Sequence, residues 1–263
     1  MKTSAQVKAY YQKQANSLFD YFNKPPKTFS ENDFHAMRVV IKRMKALLDL
    51  LNKAEPRVHR KKYFDPFKAI FEQAANIREP QVKLKLLAHY RNSSIEKFKR
   101  ELSRQIASEK LKFSKMMKVS LLKELQKSTS RIERYLDEAD RKSIAHYLDK
   151  KTKVVQKLGS DKNLKPNGVH ELRKRIKEIY YLQKMLEKKG HRFARTDDFQ
   201  ELLGKWHDGR VLERGIKDFM ATSSLPAKDI PVFEKLRQKI TNYNQQTYQS
   251  ILREKKAVLK SFK

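Results

Sequence analysis

The sequence contains no cysteine, which excludes a disulfide framework, thiol chemistry and any cysteine-ligated zinc site. Glycine is scarce, six in 263 residues, and none stands in the spacing of a Walker loop or flanks a nucleophilic serine. The seven histidines show no pair at helical ligand spacing. His170-Glu171 opens like a zincin motif, but Lys174 stands where the second histidine would be. No catalytic residue, metal or cofactor is therefore expected. No apolar run approaches the roughly eighteen residues of a membrane span, and Met1 to Tyr10 lack the apolar core of a secretory signal. Those two absences give the expectation of a soluble cytoplasmic protein without membrane insertion.

Negative charge is also in short supply: 30 acidic residues face 61 Lys and Arg, for a net charge of +31 and a pI near 10.1. Such self-repulsion weakens a compact state unless anions accompany it, so a polyanionic partner is expected. Hydrophobic residues at 39% still suffice for a folded core.

The clearest pattern runs from Phe34 to Leu51. Phe34, Met37, Ile41, Met44, Leu48 and Leu51 alternate steps of three and four, the stripe of an amphipathic helix. At about 100° per residue, His35, Arg38, Lys42 and Lys45 form a second, basic stripe beside it. The pattern returns in the second half, where Val169, Leu172, Ile176 and Ile179 repeat the apolar spacing and His170, Arg173 and Lys177 repeat the basic one. Lys174 adds a further cation. Two copies of one mixed pattern imply duplication.

Downstream of each copy lies a second correspondence. Residues Ala74 to Val82 hold Pro80, residues Leu202 to Leu212 hold Gly209, and each stretch reads as a helix end followed by a restart. His207 and Asp208 would then satisfy a helix-end turn. Trp206, Tyr180 and Tyr181 read as core residues.

The H-x-x-R-x-x-x-K helix, followed by the L-G-x-x-x-D-x-x-V-L stretch from Leu203 to Leu212, resembles the repeated signature of the CHAD family, the histidine-containing α-helical domains. The first copy departs from it with Glu79-Pro80-Gln81 in place of an Asp-containing turn. The resemblance covers nearly the whole chain. It implies an all-α fold of two four-helix bundles related by a pseudo-twofold axis, around a basic central cavity that binds inorganic polyphosphate without catalysis. The E-x-E-x-K start of the tunnel phosphatases often joined to such domains is absent. Residues 1–263 would form one domain, with helical halves of about 1–127 and 128–263.

Along the rest of the chain no strand alternation appears, so the expected fold is all-α. Lys24-Pro25-Pro26 closes a first helix, and Ser30 with Asp33 caps the anchor helix, which Glu55-Pro56 ends. A junction is expected near Ser128-Thr129-Ser130, a long helix over about 132–158, a loop over 159–168 and a break at Gly190. The last helix should run from about Ile230 to Phe262, carrying Arg237, Lys239, Arg253, Lys255, Lys256, Lys260 and Lys263, most of them on a solvated face.

A polyphosphate chain offers repeated negative charge and no bases, so its recognition needs convergent cations. Arg38 and Arg173 would orient phosphate oxygens through their planar forks, and Lys42, Lys45, Lys174 and Lys177 would supply field. His35 and His170 would donate to phosphate, more strongly at mildly acidic pH. The cell's polyphosphate granules are the location this implies. The alternative partner is nucleic acid, favoured by charge alone and without a helix-turn-helix, zinc-finger or RNA-binding aromatic signature. A phosphate-ester or polyphosphate hydrolase ranks below both for want of a metal site.

Overall fold

The structure, a computed structural model, describes residues 2–138, 141–186 and 194–259. These residues fold as α-helices and single 3-10 turns, with no strand among them. The α-helices are α1 (Lys2–Phe19), α2 (Glu31–Ala54), α3 (Arg60–Leu87), α4 (Ser93–Met116), α5 (Val119–Glu133), α6 (Arg141–Ser160), α7 (Pro166–Leu186), α8 (Ala194–Thr222) and α9 (Ile230–Leu259). The all-α expectation holds.

Several starts and stops follow from local chemistry. Ser30 and Asp33 form a full capping box: the Asp33 N–H donates to Ser30 Oγ at 3.2 Å, and the Ser30 N–H donates to the Asp33 carboxylate at 2.7 Å. Glu55-Pro56 ends α2, as expected. The loop over 159–168 is shorter than the sequence suggests. Gly159 and Ser160 complete α6, and Pro166 opens α7 at the first helical position, where its missing N–H costs nothing.

Other expected breaks do not occur. Ser128 and Thr129 are buried inside α5, so the chain turns after Glu133 instead, and the single helix over 132–158 resolves into a 3-10 turn at Leu136–Glu138 followed by α6. Pro80 lies within α3 and Gly209 within α8. The apolar period explains both. Ile70, Ala74, Ile77, Pro80, Leu84 and Leu87 keep steps of three and four through the proline, and Phe199, Leu203, Trp206, Gly209, Leu212 and Ile216 do so through the glycine. Pro80 and Gly209 are themselves buried. Burial along an unbroken stripe therefore offsets the roughly 3 kcal/mol that an interior proline costs and the roughly 1 kcal/mol that a glycine costs. The break expected at Gly190 and the helix end expected at Phe262 lie outside the described residues.

The chain forms two compact units, each drawn from three stretches. Unit 1 comprises residues 1–78, 109–155 and 174–190, and unit 2 comprises 79–108, 156–173 and 191–263. In unit 1, Phe29, Phe34 and Phe113 are fully enclosed and meet edge to face, with ring centroids 5.2 to 5.9 Å apart. That geometry contributes about 0.5–1.5 kcal/mol per pair beyond burial. In unit 2, Leu87, Ile95, Phe98 and Leu102 pack with Leu212, Ile216, Phe233, Leu236 and Ile240 to join α3, α4, α8 and α9.

Gly209 of α8 serves packing. A methyl group on Gly209 would lie 2.0 Å from Asn244 Oδ1 on α9, so the missing side chain sets how closely the two helices approach. Asn244 is held there by donating to Glu213 at 2.8 Å, and Glu213 also accepts from the Thr241 hydroxyl at 2.9 Å.

Candidate functional site

The capping box fixes the start of α2 and therefore the direction of its basic stripe. His35 stands in the first turns, exposed as a residue, with its ring partly desolvated by the protein around it. That desolvation, and then the charges of Arg78, Lys42, Lys177 and Arg38, hold the imidazole below its ordinary range. Four cations from three helices thus act on one ring: Arg38 and Lys42 from α2, Arg78 from α3 and Lys177 from α7. The same positive charges would favour an anion placed beside the ring.

Arg38 is fixed before any ligand arrives. Its Nη1 donates to the Phe71 carbonyl at 2.7 Å, and its guanidinium lies 4.1 Å from the centroid of the Phe71 ring. Lys42 Nζ is 5.7 Å from the same centroid. Both side chains rest on α3, which reduces the rotamer entropy lost on ordering them around an anion.

Lys45 has a different setting. Its ammonium pairs with Asp49 at 2.8 Å, and Asp49 also accepts from Arg60 on α3. The carboxylate holds two cations side by side and removes part of their charge. A similar clasp is built on Glu178, which accepts from Lys151 at 2.7 Å and from the Tyr147 hydroxyl at 2.6 Å.

Between α2 and α3, Ile41, Phe64 and Phe71 give apolar walls to a cavity of about 390 Å³. Lys42, Lys45, Arg60, Lys61 and Lys68 bring positive charge to its lining, and Asp65 and Glu72 bring carboxylates.

The residues of the second basic helix divide between the units. Lys174 and Lys177 belong to unit 1, the former exposed and the latter half-buried. His170 and Arg173 belong to unit 2. There the exposed His170 stacks on His207 of α8, with centroids 5.7 Å apart and planes at 22°, and His207 Nδ1 is 3.2 Å from Asp208. His207 and Asp208 therefore sit mid-helix against the second basic helix and do not satisfy a helix end. The loop leading into α7 is pinned by α9: Lys255 donates to the Asp161 carbonyl and Tyr248 to that of Leu164. Most cations of this helix are expected on a solvated face, but Lys255 is only 3% exposed, and its burial lowers its pKa.

Arg78 and His207 are the members that sequence reasoning did not place here. Arg78 lies in the later part of α3, the helix that follows the anchor helix, and its signal was only a basic residue beside Glu79-Pro80. Arg78 pairs with Glu31 at the start of α2, which fixes it near His35. Trp206 and Tyr181 are buried as expected, and Tyr180 is half-buried. Among the described residues no group of three or more metal-ligating side chains occurs, and no helix is long and apolar enough to cross a membrane.

These observations describe an all-helical fold, among its described residues, that gathers basic side chains around His35. The CHAD domain family model matches residues 24–217, and the chain belongs to the CHAD family. The crystal structure of the CHAD domain from the plant Ricinus communis has the same fold, with a TM-score of 0.71 over 99% of this chain and 91% of that one, at 12% identity. No curated protein matches the sequence.

Proposed function

We propose that this protein binds inorganic polyphosphate without transforming it, through the basic side chains of α2 and α7. The observation that carries the reading is the convergence of Arg38, Lys42, Arg78 and Lys177 on His35. A chain of phosphates matches it because each phosphate presents several acceptor oxygens, with no base edge to be read. His170, Arg173 and Lys174 are the second copy's contribution, and the two basic helices derive from an internal duplication. Lys45 supports the site more weakly, because Asp49 shares its charge. Non-catalytic retention of polyphosphate fits a cytoplasmic protein associated with polyphosphate granules.

The test is binding of labelled long-chain polyphosphate at physiological salt, with duplex DNA and heparin as competitors. The native protein is compared with a Lys42→Glu, Lys177→Glu double variant. Each lost charge-assisted contact is worth about 1.5–3 kcal/mol, roughly tenfold or more in affinity. The slope of log affinity against log salt should also fall by about one per cation removed. Polyphosphate outcompeting DNA, together with loss of binding in the folded variant, supports the reading. Equal competition by DNA and an unaffected variant would replace it with diffuse polyanion binding, and time-dependent shortening of the chains on adding divalent metal would make the protein a hydrolase.

A further inference from the structure

The cavity between α2 and α3 is lined for more than phosphate. We infer that it is a nucleotide site, taking one nucleoside polyphosphate with its base against Phe64. The inference goes beyond the polyphosphate reading and shares with it only Lys42 and Lys45.

The lining has three chemical parts. Phe64 and Phe71 are large aromatic residues left half-buried in the lining of the cavity. On α3 they alternate with cations, as Lys61, Phe64, Lys68 and Phe71, at spacings of three and four that put all four on one face of the helix. Aromatic faces interleaved with positive charge suit bases joined to phosphates, because every base offers a stacking surface. Phe71 already carries the Arg38 guanidinium at 4.1 Å from its centroid, which leaves Phe64 as the platform.

The carboxylates decide between ligand classes. A bare phosphate chain has acceptors and charge but no hydrogen-bond donor at neutral pH; Glu72 pairs with Lys68 at 3.6 Å, so Asp65 is the carboxylate of the lining that would repel it. A nucleoside has ribose hydroxyls, and adenine, guanine and cytosine have exocyclic amines, all of which donate to carboxylates. Asp65 lines the same cavity as Phe64. Lys42 and Lys45 on α2, with Arg60 and Lys61 at the start of α3, then receive the phosphates. A volume of about 390 Å³ lies within the range of small-ligand pockets.

ATP and inorganic tripolyphosphate separate the two parts of such a ligand, since both carry three linked phosphates and only one carries a base. Tripolyphosphate has at least the charge of ATP, so electrostatics alone would make it the equal or stronger ligand. Binding of each is measured by calorimetry without divalent metal, to the native protein and to Phe64→Leu and Phe64→Tyr. Leucine keeps an apolar side chain of similar size without a stacking face, and tyrosine keeps the face. The native protein should prefer ATP by about five- to 150-fold, the worth of one base on an aromatic ring. That preference should vanish in Phe64→Leu and persist in Phe64→Tyr. Equal binding of the two ligands, no ATP binding, or a preference that survives in Phe64→Leu would each overturn the inference. Long-chain polyphosphate binding, measured on the same samples, reports separately on the polyphosphate reading and confirms that the variants are folded.

Discussion

Replacing Gly209 by alanine adds one methyl group in the middle of α8, and helix propensity alone predicts a gain of about 1 kcal/mol. The packing predicts the reverse. The methyl would lie 2.0 Å from Asn244 Oδ1 and 3.2 Å from its Cγ, and Asn244 is only 5% exposed. Its short side chain cannot swing clear without giving up the 2.8 Å bond to Glu213. A hydrogen bond to a charged acceptor is worth about 1.5–3 kcal/mol, and overpacking costs about 1–3 kcal/mol. After subtracting the propensity gain, Gly209→Ala should destabilise by about 1.5–5 kcal/mol.

Gly204, five positions earlier on the same helix, supplies the control. Nothing lies within 4 Å of an added methyl there, so Gly204→Ala should stabilise by up to about 1 kcal/mol. Urea unfolding followed by circular dichroism measures both. A double variant with Asn244→Ala, which clears the space, should recover part of the loss, giving a favourable coupling in the cycle. Gly209→Ala behaving like Gly204→Ala would refute the claim that Gly209 sets the approach of α8 to α9.

Three further outcomes follow from the site and its supports. His35 has a folded pKa held below its unfolded value, first by desolvation and then by Arg78, Lys42, Lys177 and Arg38. Its contribution to stability is therefore present above the ordinary histidine range and lost as pH falls through it. A bound polyanion raises that pKa, so polyphosphate affinity should increase as pH falls from 7 through the same window; His35→Gln should flatten the increase, and an unchanged profile in that variant would remove His35 from the site. Tyr147→Phe deletes a 2.6 Å bond to Glu178 and should cost about 1.5–3 kcal/mol in urea unfolding. Ser30→Ala removes half of the α2 capping box and should cost about 1 kcal/mol. Asp33, whose carboxyl is held below its usual range by bonds to the Ser30 side chain and backbone, gives stability that is lost as pH falls through that lowered value; in Ser30→Ala the loss should begin at higher pH, followed by acid titration of the far-UV signal.

The sequence by itself determined the helices, because a stripe with steps of three and four can bury its apolar side only as a helix. It also states one basic pattern twice, as His35, Arg38 and Lys42 and then as His170, Arg173 and Lys177. Turn chemistry misled where it competed with that period: Pro80 and Gly209 look like punctuation, yet both lie on buried stripes whose continuity outweighs the local penalty. Tertiary structure decided the rest. Arg78 joins His35 from another helix, Asp49 draws Lys45 and Arg60 together, and Lys255 leaves solvent to hold a loop carbonyl. Each depends on which residues meet across helix faces far apart in the chain. Periodicity fixes the face a side chain occupies, but only packing fixes what that face meets.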